Sequence, residues 1–368
     1  MRPVAFVGLI SYSLYLWHWP IIAFLEQNYI LSSGSSSQLK LSVVKVSMIA
    51  GTLSWRFVET PFRTGRFRPG RRALFRVTGA AAALVAIFGV FTLASEGFPS
   101  RFPSGALALA RYTDFDFAQA VRKNVCFIGP FATSGTTFAD FNKAACLAED
   151  PTRKHYLLIG DSVAAHLYPG LLAVFTELNV SQATSAGCKA LLTDPKNRRD
   201  YCVGMQKYIF GDYLPRHHVD AILISGLWAE ADFPELGRTI VWLQQRGIET
   251  ILFGPVTEFN VPLPRLLMLS LRDRNVAMID RYRSIVAWQT DQKLSEIARN
   301  QWKIRYISTY ENLCASPQTR AAQDSLPTTS NCPVYAAPGV PLFYDDHHFT
   351  PDGSILFAKT MRKREQLP

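Results

Sequence analysis

Hydrophobic residues run through the first quarter of the chain in three long blocks and through the rest in short ones. From Val4 to Leu25 the stretch VAFVGLISYSLYLWHWPIIAFL contains no Asp, Glu, Lys or Arg, and a block of that length crosses the roughly 30 Å of bilayer hydrocarbon as a helix. A second block, about Leu39 to Val58, is interrupted by Lys45 and Arg56, each within reach of a membrane face to which it can snorkel. A third, Val77 to Ser95, is again uncharged and rich in small residues. Residues 96–150 show little periodicity and are expected to be a linker or extension packed on the domain after it. From 151 to 368 apolar runs of strand length, His155–Gly160, Val219–Ser225, Glu249–Pro255 and Ile304–Ser308, alternate with helical patterns at Val163–Leu178, Glu235–Gln245, Pro264–Arg272 and Arg283–Arg299. Such alternation predicts a three-layer α/β domain with a parallel sheet covered on both faces.

The net charge of +10 would suit a nucleic-acid binder, but it is confined to one end. Residues 1–95 hold ten basic and two acidic residues, against 29 and 27 in the remainder. The larger part therefore has no basic face for phosphates, and a nucleic-acid partner is disfavoured. Instead the charge sets topology: RTGRFRPGRRALFR, between the second and third blocks, faces the cytoplasm by the positive-inside rule, whereas the SSGSSSQ loop between the first and second is neutral. The third helix then delivers 96–368 to the outside. All six cysteines, Cys126, Cys146, Cys188, Cys202, Cys314 and Cys332, lie in that exported part, as disulfides of an oxidising compartment would. Pairing of sequence neighbours, Cys126 with Cys146, Cys188 with Cys202 and Cys314 with Cys332, closes modest loops.

Two motifs in the first part carry a resemblance. ISYSLYLWHWPI (Ile10–Ile21) followed by WRFVETPFR (Trp55–Arg63) resembles the last two core helices of the acyltransferase-3 family of bacterial membrane proteins. The resemblance implies a larger membrane domain whose earlier helices handle a cytoplasmic acyl-CoA donor. Those helices are absent from these residues, so the chain is expected to be the carboxy-terminal part of such a protein, with the missing helices possible as a separate partner chain. His18, within Trp17-His18-Trp19-Pro20, reads either as a functional intramembrane histidine or, more simply, as part of an interfacial aromatic belt.

In the second part, the first strand ends in Gly160-Asp161-Ser162. A serine between a strand and the amino end of a helix is exposed on a tight turn, where backbone N–H groups can bind an oxyanion. Capping of the helix by Asp161 or Ser162 is the bland alternative. Asp345-Asp346-His347-His348, just before a final helix, supplies the other half. Asp345 and His348 can orient one imidazole nitrogen while the other faces Ser162, giving orienter, base and nucleophile. A solvated turn, or a metal site made from these four residues, is the competing reading, but neither accounts for Gly-Asp-Ser after the first strand, and no metal is expected.

Together the motifs resemble an SGNH hydrolase, the GDS(L) class of serine esterases and acyltransferases, fused to an acyltransferase-3 domain; FGPVTEFNVPLP (Phe253–Pro264) is similar to a segment of such fused domains. The resemblance implies Ser162, His348 and Asp345 as catalytic residues, Gly187 as an oxyanion donor and Trp228 as a substrate-binding candidate. No Asn stands near Trp228, where the family places a second donor, and losing one donor costs about 3 kcal/mol. The implied activity is transfer of acetyl, or a similar short acyl group, onto hydroxyls of a cell-envelope polysaccharide such as lipopolysaccharide O-antigen or exopolysaccharide. No cofactor is implied beyond acetyl-CoA as ultimate donor. The implied location is the bacterial inner membrane with 96–368 periplasmic, in contact with lipid and with the glycan acceptor. An extracytoplasmic deacetylase and a non-catalytic polysaccharide-binding module are the alternatives, the latter drawing on Trp228, Trp242, Trp288 and Trp302.

Overall fold

The computed structural model describes residues 3–27, 36–66, 70–131, 137–193, 199–314 and 331–367. The neutral loop at 32–35 and Arg68 of the arginine-rich loop lie outside the described residues. The chain divides into two units, Met1–Phe98 and Pro99–Pro368.

In the first unit, Val4–Glu26, Ser37–Arg63 and Arg71–Ala94 are helices long and apolar enough to cross a membrane. The first two pack closely. Gly51 lies against the Leu14 backbone, where an added Cβ would come within 2.9 Å of Cα, and Ser13 Oγ donates to Glu59 at 2.8 Å. Glu59 also pairs with Arg63 at 3.0 Å, so the WRFVETPFR motif joins one helix to the other. This motif continues the second helix beyond the expected Val58 through a π turn at Trp55–Glu59. The third helix begins at Arg71 rather than Val77, because arginine is a good helix former and its stem tolerates an interfacial position.

In the second unit, six strands among the described residues form one parallel sheet: β1 (Phe127–Ile128), β2 (Lys154–Gly160), β3 (Leu178–Ser185), β4 (Ala221–Ser225), β5 (Glu249–Phe253) and β6 (Arg305–Ile307), in the order β1-β3-β2-β4-β5-β6. On one face, Leu157, Ile159, Ile222 and Ile224 pack with Leu236, Ile240 and Leu243 of the helix Phe233–Gln244. On the other, the final helix Pro351–Lys363 brings Phe357 to Phe253 of β5 at 6.2 Å. Gly170 N–H donates to Ser354 Oγ at 2.9 Å, joining the helix Tyr168–Val174 to that last helix.

Two elements differ from the sequence expectation. Residues 96–150 do more than link, since β1 extends the sheet beside β3. β3 itself has the polar pattern LNVSQATS, yet Ser181, Gln182, Thr184 and Ser185 are buried. Most of its polar groups are satisfied internally: Ser181 with His155 at 2.8 Å, and Gln182 Nε2 with Val121 O and Thr184 Oγ1 at 3.1 and 2.9 Å. All six cysteines are paired as neighbours, 126–146, 188–202 and 314–332, and loops of 14 to 20 residues each stabilise by about 3 kcal/mol in the chain-entropy model.

From β2 the chain passes to β3 on one side and then to β4 on the other. The carboxyl end of β2 is therefore the switch point at which parallel sheets bind ligands. Gly160 ends that strand at φ +144°, and any Cβ there would collide with Ser225 O of β4.

Behind β5 and β6, buried Asp291 accepts from the Tyr306 hydroxyl at 2.7 Å and from Ser308 Oγ at 2.8 Å. Burial pushes its carboxyl from 3.8 up to about 6 despite these bonds. The protonated form thus favours the fold, and this stabilisation is lost as pH rises through the folded value. Asp291→Asn is expected to abolish that dependence, so that its melting temperature relative to wild type rises by about 4 °C between roughly pH 4 and pH 7. A constant difference across that range would contradict the assignment.

Candidate active site

Asp161 shapes the turn that presents Ser162. Its Oδ1 accepts from Val163 N–H and its Oδ2 from Leu227 N–H, both at 2.8 Å, so one carboxylate caps the helix Ser162–Ala165 and joins it to the loop after β4. Burial pushes the Asp161 carboxyl up, and these two bonds with the charges of His348 and Lys189 offset only part of that rise. Ser162 occupies the first helical position, where the backbone N–H has no partner within the helix.

Its imidazole partner arrives on a loop 186 residues later. His348 Nε2 lies 2.7 Å from Ser162 Oγ, and His348 Nδ1 lies 2.7 Å from Asp345 Oδ2. Asp345 Oδ1 accepts from the backbone N–H groups of His347 and His348 at 3.0 and 2.7 Å. Burial alone would raise the Asp345 carboxyl, but the hydrogen bond and charge of His348 with these two N–H groups hold it below the ordinary carboxylate value. Behind the loop, Phe259 N–H donates to Asp346 O and Leu263 N–H to Asp345 O, both at 2.9 Å. The FGPVTEFNVPLP segment is thus a backbone clamp on the loop that carries Asp345 and His348.

His347 forms a second acid–imidazole pair, its Nδ1 2.9 Å from Asp346 Oδ1 and its ring 4.0 Å from that of His348. Burial disfavours its charge, but the Asp346 hydrogen bond and the charges of Asp346, Asp345 and Glu258 outweigh it and raise its pKa. Asp345, His347 and His348 offer ligand atoms within 4.8 Å of one another. Both nitrogens of His348 are committed, however, to Asp345 and to Ser162.

Gly187 sits in the turn after β3 at φ +65°, at the same carboxyl edge as Ser162. Arg199 Nη1 braces that turn by donating to Ala186 O at 3.1 Å. Trp228 is not brought to the surface of the site: it is 4% exposed, and its Nε1 donates to Phe253 O at 3.1 Å. The burial of an aromatic side chain with its polar atom satisfied accounts for its place in the core. Among the other tryptophans considered for sugar stacking, Trp242 is half-buried with Arg246 over its ring at 3.6 Å.

Sequence reading missed His166. It follows the helix Ser162–Ala165, is buried, and its Nδ1 accepts from Phe349 N–H at 3.2 Å. Burial together with the charges of His348 and His347 pushes its pKa well below the ordinary value, so it stays neutral. A spacing of four from Ser162 was the available signal, because it puts both residues near one helical face.

A family model described as an SGNH domain fused to AT3 domains matches residues 131–363. The chain belongs to this family. The O-acetyltransferase OatA of Staphylococcus aureus is 37% identical over 68 residues, which are 18% of this chain and 11% of that protein. The chain thus aligns with about a ninth of the length of this curated relative. The periplasmic domain of the Salmonella ser. Paratyphi A lipopolysaccharide acetyltransferase superposes with a TM-score of 0.55 at 18% identity, covering 70% of this chain and 96% of that one. This likeness shows the SGNH fold.

Through the Phe349 N–H bond His166 holds the backbone just after His348 from the Ser162 side, which makes it a candidate positioning residue. His166→Leu is expected to lower kcat for a small acetyl ester by at least about tenfold with little change in KM, whereas His166→Asn, whose amide oxygen can replace Nδ1, recovers most of it. Equal activity of the two variants would contradict this role.

Proposed function

We propose that this protein is a membrane-anchored O-acyltransferase that places acetyl, or a similarly short acyl group, on hydroxyls of a cell-envelope polysaccharide such as lipopolysaccharide O-antigen or exopolysaccharide. The observation that carries this reading is the unbroken chain Ser162 Oγ, His348, Asp345, with 2.7 Å at both links. Ser162 Oγ attacks the acyl carbonyl while His348 Nε2 takes its proton, and the Ser162 N–H with the Gly187 turn receives the oxyanion. Collapse expels the donor's leaving group, which takes the proton from His348, and leaves an acyl-serine. A sugar hydroxyl then gives its proton to His348, attacks the acyl carbon and departs as the ester, and the proton returns to Ser162. Asp345 stays ionised and holds the imidazole tautomer throughout.

The acetyltransferase activities of the relatives support acetyl as the group and an envelope glycan as the acceptor. In this reading the three apolar helices anchor the chain in the bacterial inner membrane, the arginines at the start of the third stay cytoplasmic, and the disulfide-bearing domain works in the periplasm. The ultimate donor is cytoplasmic acetyl-CoA, whose acyl group crosses the membrane before it reaches Ser162. With water as acceptor the same residues make an esterase, so slow hydrolysis is an expected side reaction. An assembled triad disfavours a purely glycan-binding role.

The purified full chain in detergent is expected to hydrolyse 4-nitrophenyl acetate slowly, and Ser162→Ala to lower kcat by about 10³ or more. Wild-type turnover in the variant would refute the assignment.

A further inference from the structure

The catalytic imidazole is the inner end of a series of aromatic rings. Tyr344 stacks on His348 at 5.6 Å and 10°. Phe117 stacks on Tyr344 at 5.3 Å and 5°, Phe115 meets Tyr344 at 5.5 Å, and Tyr112 stacks on Phe115 at 5.6 Å. All four rings are half-buried. Three of them come from one short segment, Tyr112-Thr113-Asp114-Phe115-Asp116-Phe117, which precedes the family-matched residues 131–363. At its other side Phe117 packs against the cluster of Val121, Phe127 and Ala165, on which Ala186, next to the Gly187 turn, also packs. This segment therefore extends outward the ring series that begins at His348.

We propose that the Tyr112–Phe117 segment is the acceptor subsite, a platform for pyranose rings of the glycan chain. The inference rests on the transferase reading above and adds the place where the acceptor binds. Sugar rings present faces of C–H groups that pack on aromatic faces, and hydroxyls at their edges that donate to carboxylates. The segment alternates the two chemistries: Phe115 and Phe117 are interleaved with exposed Asp114 and Asp116, with exposed Asp352 close enough to Tyr112 to act on its hydroxyl. Covering these carboxylates with a lipid tail would strip their water, at a cost nothing in the tail can repay. The platform is also continuous with His348. A ring seated on Phe115 and Tyr112 extends along the ring series toward Tyr344, so that a hydroxyl on a neighbouring sugar can reach His348 Nε2.

The test measures binding without turnover. The full chain carrying Ser162→Ala, in lipid nanodiscs, is titrated with de-O-acetylated O-polysaccharide fragments and with maltohexaose, followed by saturation-transfer NMR and affinity measurement. At least one probe is expected to bind, and Phe115→Ala with Tyr112→Ala to weaken it by about tenfold or more. Phe115→Leu, which keeps apolar bulk but removes the ring, is expected to bind as poorly as Phe115→Ala while melting like the parent. The proposal is overturned if neither probe binds, if the alanine variants bind unchanged, or if Phe115→Leu binds like the parent. Failure of Ser162-dependent ester hydrolysis would instead sink the transferase reading, so the two failures are separately visible.

Discussion

One imidazole holds this site together by joining parts of the chain that nothing local would bring near. Ser162 and His348 are 186 residues apart, and their contact requires two helices and two loops to close on the end of β2. The surrounding structure restricts that contact from several directions. Asp161 fixes the serine turn to the loop after β4, and Gly160 allows β2 and β4 to approach at its base. Asp345 takes two N–H groups of its own loop, and the Phe259 and Leu263 amides hold that loop from behind. A hydrogen bond of this kind has a modest net value in an open site. Its geometry is useful because the supporting groups are themselves buried and paired.

The electrostatics arise from the same closure. Asp345 is held below the ordinary carboxylate value because the bonds it accepts outweigh its burial, whereas burial of Asp291 outweighs its two hydroxyl donors and pushes it toward the protonated form. His166 is kept neutral by burial beside two other histidines, which leaves its Nδ1 lone pair for Phe349 N–H. Three histidines within a few ångströms are thus held differently: His348 between Asp345 and Ser162, His166 on Phe349 N–H, and His347 on Asp346, which raises its pKa.

Much of this was legible from residue order. The parallel strands β2, β4, β5 and β6 announced themselves as short apolar runs, since a strand buried on both faces needs apolar side chains on both. β3 was not legible, because its buried Ser181, Gln182 and Thr184 mimic a loop until their partners, His155, Val121 and Cys126, are brought beside them. Gly-Asp-Ser and Asp-x-x-His were readable as motifs, and chemistry alone made them partners. Trp228 misled for the opposite reason: an aromatic residue in a loop pattern looks available, and only the Phe253 carbonyl beneath it shows that it is core. The aromatic segment 112–117 carries no motif, and His166 only a spacing of four from Ser162. Their meaning comes from what the fold lays against them.

The proposed chemistry is covalent at its centre: acyl groups pass through Ser162. Incubating the full chain with an activated acetyl ester, quenching in acid at short times and mapping peptides by mass spectrometry tests it directly. The expected result is acetylation of the peptide carrying Ser162, accumulating before steady state, discharged by added glycan and absent in Ser162→Ala. Acetyl transfer to glycan in a protein whose Ser162 never carries the group, at any quench time, would contradict it.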